Sequence, residues 1–208
     1  MLVDDHPLIR LALRTILSGR SDISVVAEAS SGEEALEKAR RLRPQVVIID
    51  VDMPGMGGVE CTRRLAALTP KPGVLVISMY EQPPFPQLLL EAGALGYLPK
   101  GGQPEEVLEA VAMVAKGELY INAKIATDLA RRMVYDHGRT PFDTLSPREK
   151  QIMMMLIHGQ TTQTIAKVLN VSAKTVCTHR YRIFDKLGVK SDVELTLFAM
   201  HHGLLKDD

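Results

Sequence analysis

Over its first hundred residues the chain alternates short apolar runs with helical patterns, and four of those runs stop at a residue suited to phosphoryl chemistry. Leu2-Val3 runs into Asp4-Asp5, Val46-Val47-Ile48-Ile49 into Asp50, Val74-Leu75-Val76-Ile77 into Ser78, and Gly96-Tyr97-Leu98-Pro99 into Lys100. Runs this short and rich in branched side chains read as parallel strands buried on both faces. In an open α/β sheet the carboxyl ends of the strands line the ligand crevice. Three acids, a hydroxyl and an ammonium therefore meet at one sheet edge. That is the residue set of a phosphorylation site.

The 208 residues suit one large domain or two small ones, and 46% hydrophobic content is ample for a packed core. No run of about 18 apolar residues is present, so no span of a membrane is expected, and no secretory signal pattern opens the chain. Cys61 and Cys177 are far apart in sequence; no disulfide is expected, and the expected compartment is the cytoplasm. Charge is unevenly spread: residues 1–120 hold 12 Lys/Arg against 16 Asp/Glu, a net of −4, whereas residues 121–140 and 141–208 are each +2. An acidic front that holds cations and a mildly basic back that meets a polyanion fit this split.

Helices are expected over Pro7–Ser18 (burying Leu8, Leu11, Ile16 and Leu17), from Ser31 to Arg43, from the Met53–Gly58 loop to about Leu68, and from Pro104 to Lys116. Ser31 with Glu34 forms a capping box. A further strand is expected over Ile23–Ala29, and the prolines in Glu81–Pro86 leave only a short helix after strand four. Five βα units imply a five-stranded, doubly wound (flavodoxin-like) parallel sheet. Ile125, Leu129, Met133 and Val134 mark a linker helix broken at 136–141. From Leu145 onward the period is purely helical, with starts at Ser146, Thr161 or Thr162, Ser172 and Ser191 and stops at Gly159, Asn170, Gly188 and Gly203. This is a small helix-turn-helix bundle. The expected organisation is a phosphoacceptor domain over 1–118, a linker over 119–142 and a helical domain over 143–208.

A carboxylate attacks phosphorus only when the repulsion between two anions is relieved. Mg²⁺ does this through oxygen ligands and bound waters. Asp4, Asp5 and Asp50 offer such ligands, with a backbone carbonyl at Asp52 completing the set. Lys100 and the Ser78 hydroxyl are placed for the remaining phosphoryl oxygens. Any one of these residues alone is ordinary, since an Asp at a strand end is usually a turn or cap residue. Five matches in strand order are not ordinary. The Asp52 side chain is expected to shape solvent access, and Cys61 to pack.

Asp50-Val51-Asp52 also resembles the nucleophile motif of haloacid-dehalogenase-type phosphatases, an enzyme alternative in which the acid pair comes last in the chain. Here Asp4-Asp5 comes first, and order decides against it. Val3-Asp4-Asp5-His6, Ile49-Asp50-Val51-Asp52-Met53-Pro54-Gly55, Ser78 and Gly96-Tyr97-Leu98-Pro99-Lys100 resemble the receiver domain of two-component response regulators. The resemblance implies that Asp50 accepts phosphate from a sensor histidine kinase. It also implies that Asp4 and Asp5 hold Mg²⁺, and that Ser78 and Tyr97 move as a switch pair. No enzyme is implied beyond the receiver's own phosphorylation and dephosphorylation.

On the helix Ser172–Leu187, Val176, Ile183 and Leu187 share one face and are expected in the core. An α-helix fits the major groove of double-stranded DNA. Cys177, Thr178 and Tyr181 are assigned to bases, and Lys174, Thr175, Arg182 and Lys186 to the phosphate backbone. Taken alone, such a face belongs equally to any amphipathic helix, including one that meets protein or RNA. Met153-Met154-Met155 fills the core, and His179, His201 and His202 are packing or solvent residues. Leu145-Ser146-Pro147-Arg148-Glu149, Ile165-Ala166, Val171-Ser172-Ala173-Lys174-Thr175-Val176 and Lys186-Leu187-Gly188-Val189 resemble the LuxR-type helix-turn-helix. That likeness implies binding to duplex DNA as a homodimer, often through the last helix. Cys177 stands where that family often has Lys or Asn. Together the halves are similar to the NarL/FixJ subfamily and, through Pro84-Phe85-Pro86, Pro141-Phe142-Asp143, Arg180-Tyr181-Arg182-Ile183-Phe184 and Ser191-Asp192-Val193-Glu194-Leu195-Thr196, to its GacA/UvrY/LetA group. The implied function is transcription regulation controlled by phosphorylation of Asp50.

Overall fold

All strands of the sheet run in the same direction, as buried branched runs separated by helices require. The computed structural model describes residues 1–53, 55–81, 85–135, 141–202 and 204–205, leaving aside the side chains of 132–135. The chain divides into two compact units, one of residues 1–81 and 85–127 and the other from residue 128 onward.

In the first unit, strands β1 (Leu2–Val3), β2 (Glu28–Ala29), β3 (Val46–Asp50), β4 (Gly73–Ser78), β5 (Gly96–Pro99) and β6 (Tyr120–Ile121) lie in the order β2-β1-β3-β4-β5-β6. They alternate with helices α1 (Pro7–Ser18), α2 (Gly32–Leu42), α3 (Gly57–Ala66), α4 (Phe85–Glu91) and α5 (Pro104–Ala115). Strand order reverses between β1 and β3, and the carboxyl ends of those two strands carry Asp4-Asp5 and Asp50. Ligands bind outside such a switch point.

The sheet has six strands, not the expected five. Tyr120 donates its N–H to the Leu95 carbonyl at 2.9 Å and Asn122 to that of Tyr97 at 3.1 Å, which adds β6 beside β5. A two-residue strand has no periodicity to betray it. Strand β2 is shorter than the expected Ile23–Ala29, because β1 presents only Leu2 and Val3 to pair with it. Helix α1 also differs. Leu13 and Leu17 are buried, while Leu8 and Leu11 are 78% and 58% exposed, because the inward row at 3.6-residue spacing runs through Ile9, Leu13, Ile16 and Leu17. That row packs with Leu2, Ile48, Leu75, Ile77, Leu98 and Val111 into one core.

Helix α6 (Ala123–Tyr135) begins in the first unit and buries Ile125. A 3₁₀ turn (Pro141–Thr144) leads into α7 (Pro147–Ile157), α8 (Thr162–Leu169), α9 (Ala173–Leu187) and α10 (Asp192–His201). Ser146, Thr161, Ser172 and Ser191 each accept an N–H from the third residue onward, as their positions require. Asn170 takes a left-handed conformation (φ 52°) and turns the chain from α8 into α9. Ile152, Met153, Ile165, Val176, Ile183, Leu195 and Ala199 form the core of this unit, and the three consecutive methionines are all buried. The expected roles of Met133 and Val134, the break at 136–140, the stop at Gly203, and Pro54 and Pro84 of the quoted motifs lie outside the described residues.

Candidate functional site

Lys100 is the centre of the site. Its Nζ stands 2.8 Å from Asp50 Oδ2 and 3.0 Å from Asp4 Oδ2, and both acids are at most 3% exposed. The backbone sets this up: the Lys100 N–H donates to the Ser78 carbonyl at 2.8 Å, which locks the end of β5 onto the end of β4. Asp50 Oδ1 accepts the Val51 N–H at 2.7 Å, and Arg10 donates to the Asp4 carbonyl at 2.6 Å. Burial raises the Asp50 carboxyl to about 6 in spite of the Lys100 ammonium beside it. Burial pulls Lys100 down, but Asp50 and Asp4 outweigh it and the ammonium sits above its ordinary value.

Asp4, Asp5, His6 and Asp50 each bring one ligand atom within 4.8 Å of the others. Three carboxylates meet one ammonium there, an excess of negative charge. Asp5 Oδ1 is buried with no hydrogen-bond donor. This set suits a small, hard divalent cation. Ser78 is fully buried at the same edge and its Oγ accepts the Tyr80 N–H at 3.1 Å. The Asp52 side chain lies at the rim, where the Tyr80 hydroxyl donates to its Oδ2 at 3.2 Å. Tyr97 lies wholly inside, its hydroxyl donating to the Tyr80 carbonyl at 2.5 Å. Cys61 is a packing residue, with burial pushing its thiol up to about 12.

On α9, Lys174, Thr178, Tyr181 and Arg182 form an exposed row at 3.6-residue spacing, and Thr175 is exposed beside it. Cys177 is half-buried at the flank. Val176, Ile183 and Leu187 are buried. Lys186 is exposed as well, and its Nζ lies 2.6 Å from Glu149 Oε2 on α7, an ion pair that ties the two helices together.

A family model described as the response regulator receiver domain matches residues 1–112, and one described as bacterial regulatory proteins of the luxR family matches residues 143–199. The response regulator GacA of Pseudomonas protegens is 46% identical over 205 residues, covering 99% of this chain and 96% of that one. The chain belongs to the response regulators. UvrY of Escherichia coli K12 is 43% identical to this regulator, covering 98% of this chain and 94% of that protein. Among solved structures, RcsB of Salmonella enterica serovar Typhimurium, bound to the promoter rprA in the presence of the phosphomimetic BeF₃⁻, aligns with a TM-score of 0.74. It is 25% identical and covers 96% of each chain. Membership sets aside the phosphatase alternative. No described helix of the regulator is long and apolar enough to cross a membrane.

Two positions that shape the regulator's two units are not singled out by the sequence. A Cβ on Gly58 would sit 2.4 Å from the Asp50 carbonyl oxygen and 2.5 Å from Val51 Cα, so only glycine lets α3 begin against the phosphoacceptor strand. Arg180 on α9 holds Asp192 on α10 through two hydrogen bonds of 2.7 Å. It is a structural clamp within the row of polar residues. A glycine-rich loop after β3 hinted at the first; nothing local distinguishes the second from a phosphate-binding arginine.

Proposed function

We propose that this regulator is a cytoplasmic transcription factor in which Asp50 accepts a phosphoryl group from a sensor histidine kinase and helix α9 reads double-stranded DNA. Residues 1–118 form the receiver, 119–142 the linker and 143–208 the DNA-binding domain. The observation that carries the reading is Lys100 standing within 3.0 Å of both Asp4 and Asp50 at the strand-order reversal.

Asp50 attacks phosphorus through a carboxylate oxygen, and the donor nitrogen leaves with its bonding electron pair. Asp4, Asp5, Asp50 and the Asp52 carbonyl are the residues to hold Mg²⁺, which supplies charge neutralisation for the transferred group. Lys100 pairs with a phosphoryl oxygen once the new group draws it from Asp4. Ser78 turns its hydroxyl to another, and Tyr97 answers as its switch partner. The receiver promotes its own phosphorylation and dephosphorylation by this positioning. In the helical unit, Thr178, Tyr181 and Cys177 meet base edges, and Lys174, Thr175 and Arg182 meet phosphates. The active form is a homodimer, for which the exposed Val193 and Leu197 of α10 (69% and 58%) give support.

Duplex affinity measured with and without a small phosphodonor and Mg²⁺ tests this reading. Wild type binds target duplex more tightly after treatment and Asp50→Ala does not respond. An equal response from both proteins contradicts it.

A further inference from the structure

The residue after the acid pair is turned toward the carboxylates. His6 precedes the first turn of α1 as its N-cap but makes no side-chain capping bond. Its Nδ1 instead lies 2.7 Å from Asp5 Oδ1 and shares a hydrogen bond of 3.2 Å with Asp4 Oδ1, while its backbone N–H donates to the same Asp4 oxygen at 2.8 Å. The short contact to Asp5 lacks hydrogen-bond geometry, and Asp5 Oδ1 has no other donor. One ligand atom from each of Asp4, Asp5, His6 and Asp50 lies within 4.8 Å of the others, close enough for the four to share one cation.

We propose that His6 is a ligand of the divalent ion and sets which metals the site accepts. The inference rests on the metal reading above and extends it: oxygen donors alone favour Mg²⁺, whereas an imidazole favours later first-row ions such as Co²⁺. With its proton on Nε2, His6 offers Nδ1 to the ion, and the adjacent N-cap backbone bond to Asp4 fixes the direction of the ring. The His6 side chain is 65% exposed, so its replacement leaves the core intact.

Co²⁺ and Mg²⁺ affinities of the full-length protein, measured by titration calorimetry for wild type, His6→Ala, His6→Asn and Asp5→Asn, test this. Proton NMR of the Co²⁺ form adds a direct view of the coordinating ring. Loss of an imidazole ligand weakens Co²⁺ binding by about tenfold in both His6 variants and leaves Mg²⁺ within about twofold. A hyperfine-shifted, exchangeable imidazole N–H signal present in wild type disappears with the histidine. Equal Co²⁺/Mg²⁺ preference in wild type and both His6 variants, with no such signal, overturns the role of His6, while loss of both ions in Asp5→Asn keeps the metal reading. Absence of either ion from wild type overturns the metal reading itself, and the proposal with it.

Discussion

Lys186 Nζ lies 2.6 Å from Glu149 Oε2, and the Glu149 side chain is 4% exposed. Burial pushes Glu149 up, but Lys186 and Ser146 outweigh it and hold the carboxyl below its ordinary value. Removing the lysine leaves a carboxylate inside the helical unit with only its cap for company. Lys186→Ala should destabilise that unit by about 1–2 kcal/mol, less than a fully buried pair because the lysine is partly exposed. Chemical denaturation monitored on the helical signal checks the loss. Duplex affinity at a temperature where the protein remains folded should hardly change.

Arg182 and Thr178 should behave otherwise. Both are exposed on α9, one suited to phosphate and the other to a base edge. Arg182→Ala is expected to weaken all duplexes alike and to reduce the salt slope by about 1, whereas Thr178→Ala shifts sequence preference. Titration of matched and mismatched duplexes across salt concentrations separates the two outcomes. If neither substitution moves duplex affinity, α9 is not the reading helix.

Gly58 packs its Cα side against Asp50 and Val51. In Gly58→Ala the added methyl meets backbone on both contacts, and backbone cannot swing aside as a flexible side chain does. A loss of about 1–3 kcal/mol is expected, typical of overpacking, together with slower phosphorylation because the strand end carrying Asp50 must shift. Thermal unfolding and phosphodonor labelling on the same sample measure both. A stable variant with normal labelling would show that the contact is relieved at no cost.

The Asp50 carboxyl stands at about 6 against an ordinary 3.8. Between those values the folded protein keeps a proton that the unfolded chain releases, so this group's stabilisation is present below pH 3.8 and is lost as pH rises through 6. In metal-free solution the loss amounts to about 3 kcal/mol at most. Asp50→Asn, which never ionises, should therefore be more stable than wild type at pH 8, and the gap should close toward pH 4. Urea unfolding at several pH values in the presence of a chelator checks this. A gap independent of pH would contradict it.

The strand ends were legible because parallel strands buried on both faces form continuous apolar runs, and Asp4, Asp50, Ser78 and Lys100 each close one. The buried face of α9 was equally plain, since Val176, Ile183 and Leu187 repeat at helical spacing. What sequence could not show was pairing across the fold. Tyr120–Ile121 is too short to carry a period and becomes a strand only through the carbonyls of Leu95 and Tyr97. Lys186 and Arg182 carry the same charge on one helix, and only the position of Glu149 on α7 separates their roles. On α1 the apolar residues are so dense that two registers look alike, and packing on Leu2 and Val111 chose the one burying Leu13. The capping box at Ser31 also slipped. Ser31 accepts the Glu34 N–H, but the Glu34 carboxylate returns to the N–H of Ser30.

The account depends on Asp50 being the residue that carries the phosphoryl group. Intact-protein and peptide mass spectrometry after treatment with a small phosphodonor and Mg²⁺ measures that directly. The account predicts one added phosphoryl group in wild type, located on Asp50, and none in Asp50→Ala. Labelling of equal extent in both proteins, or a group located away from the β3 terminus, would contradict it.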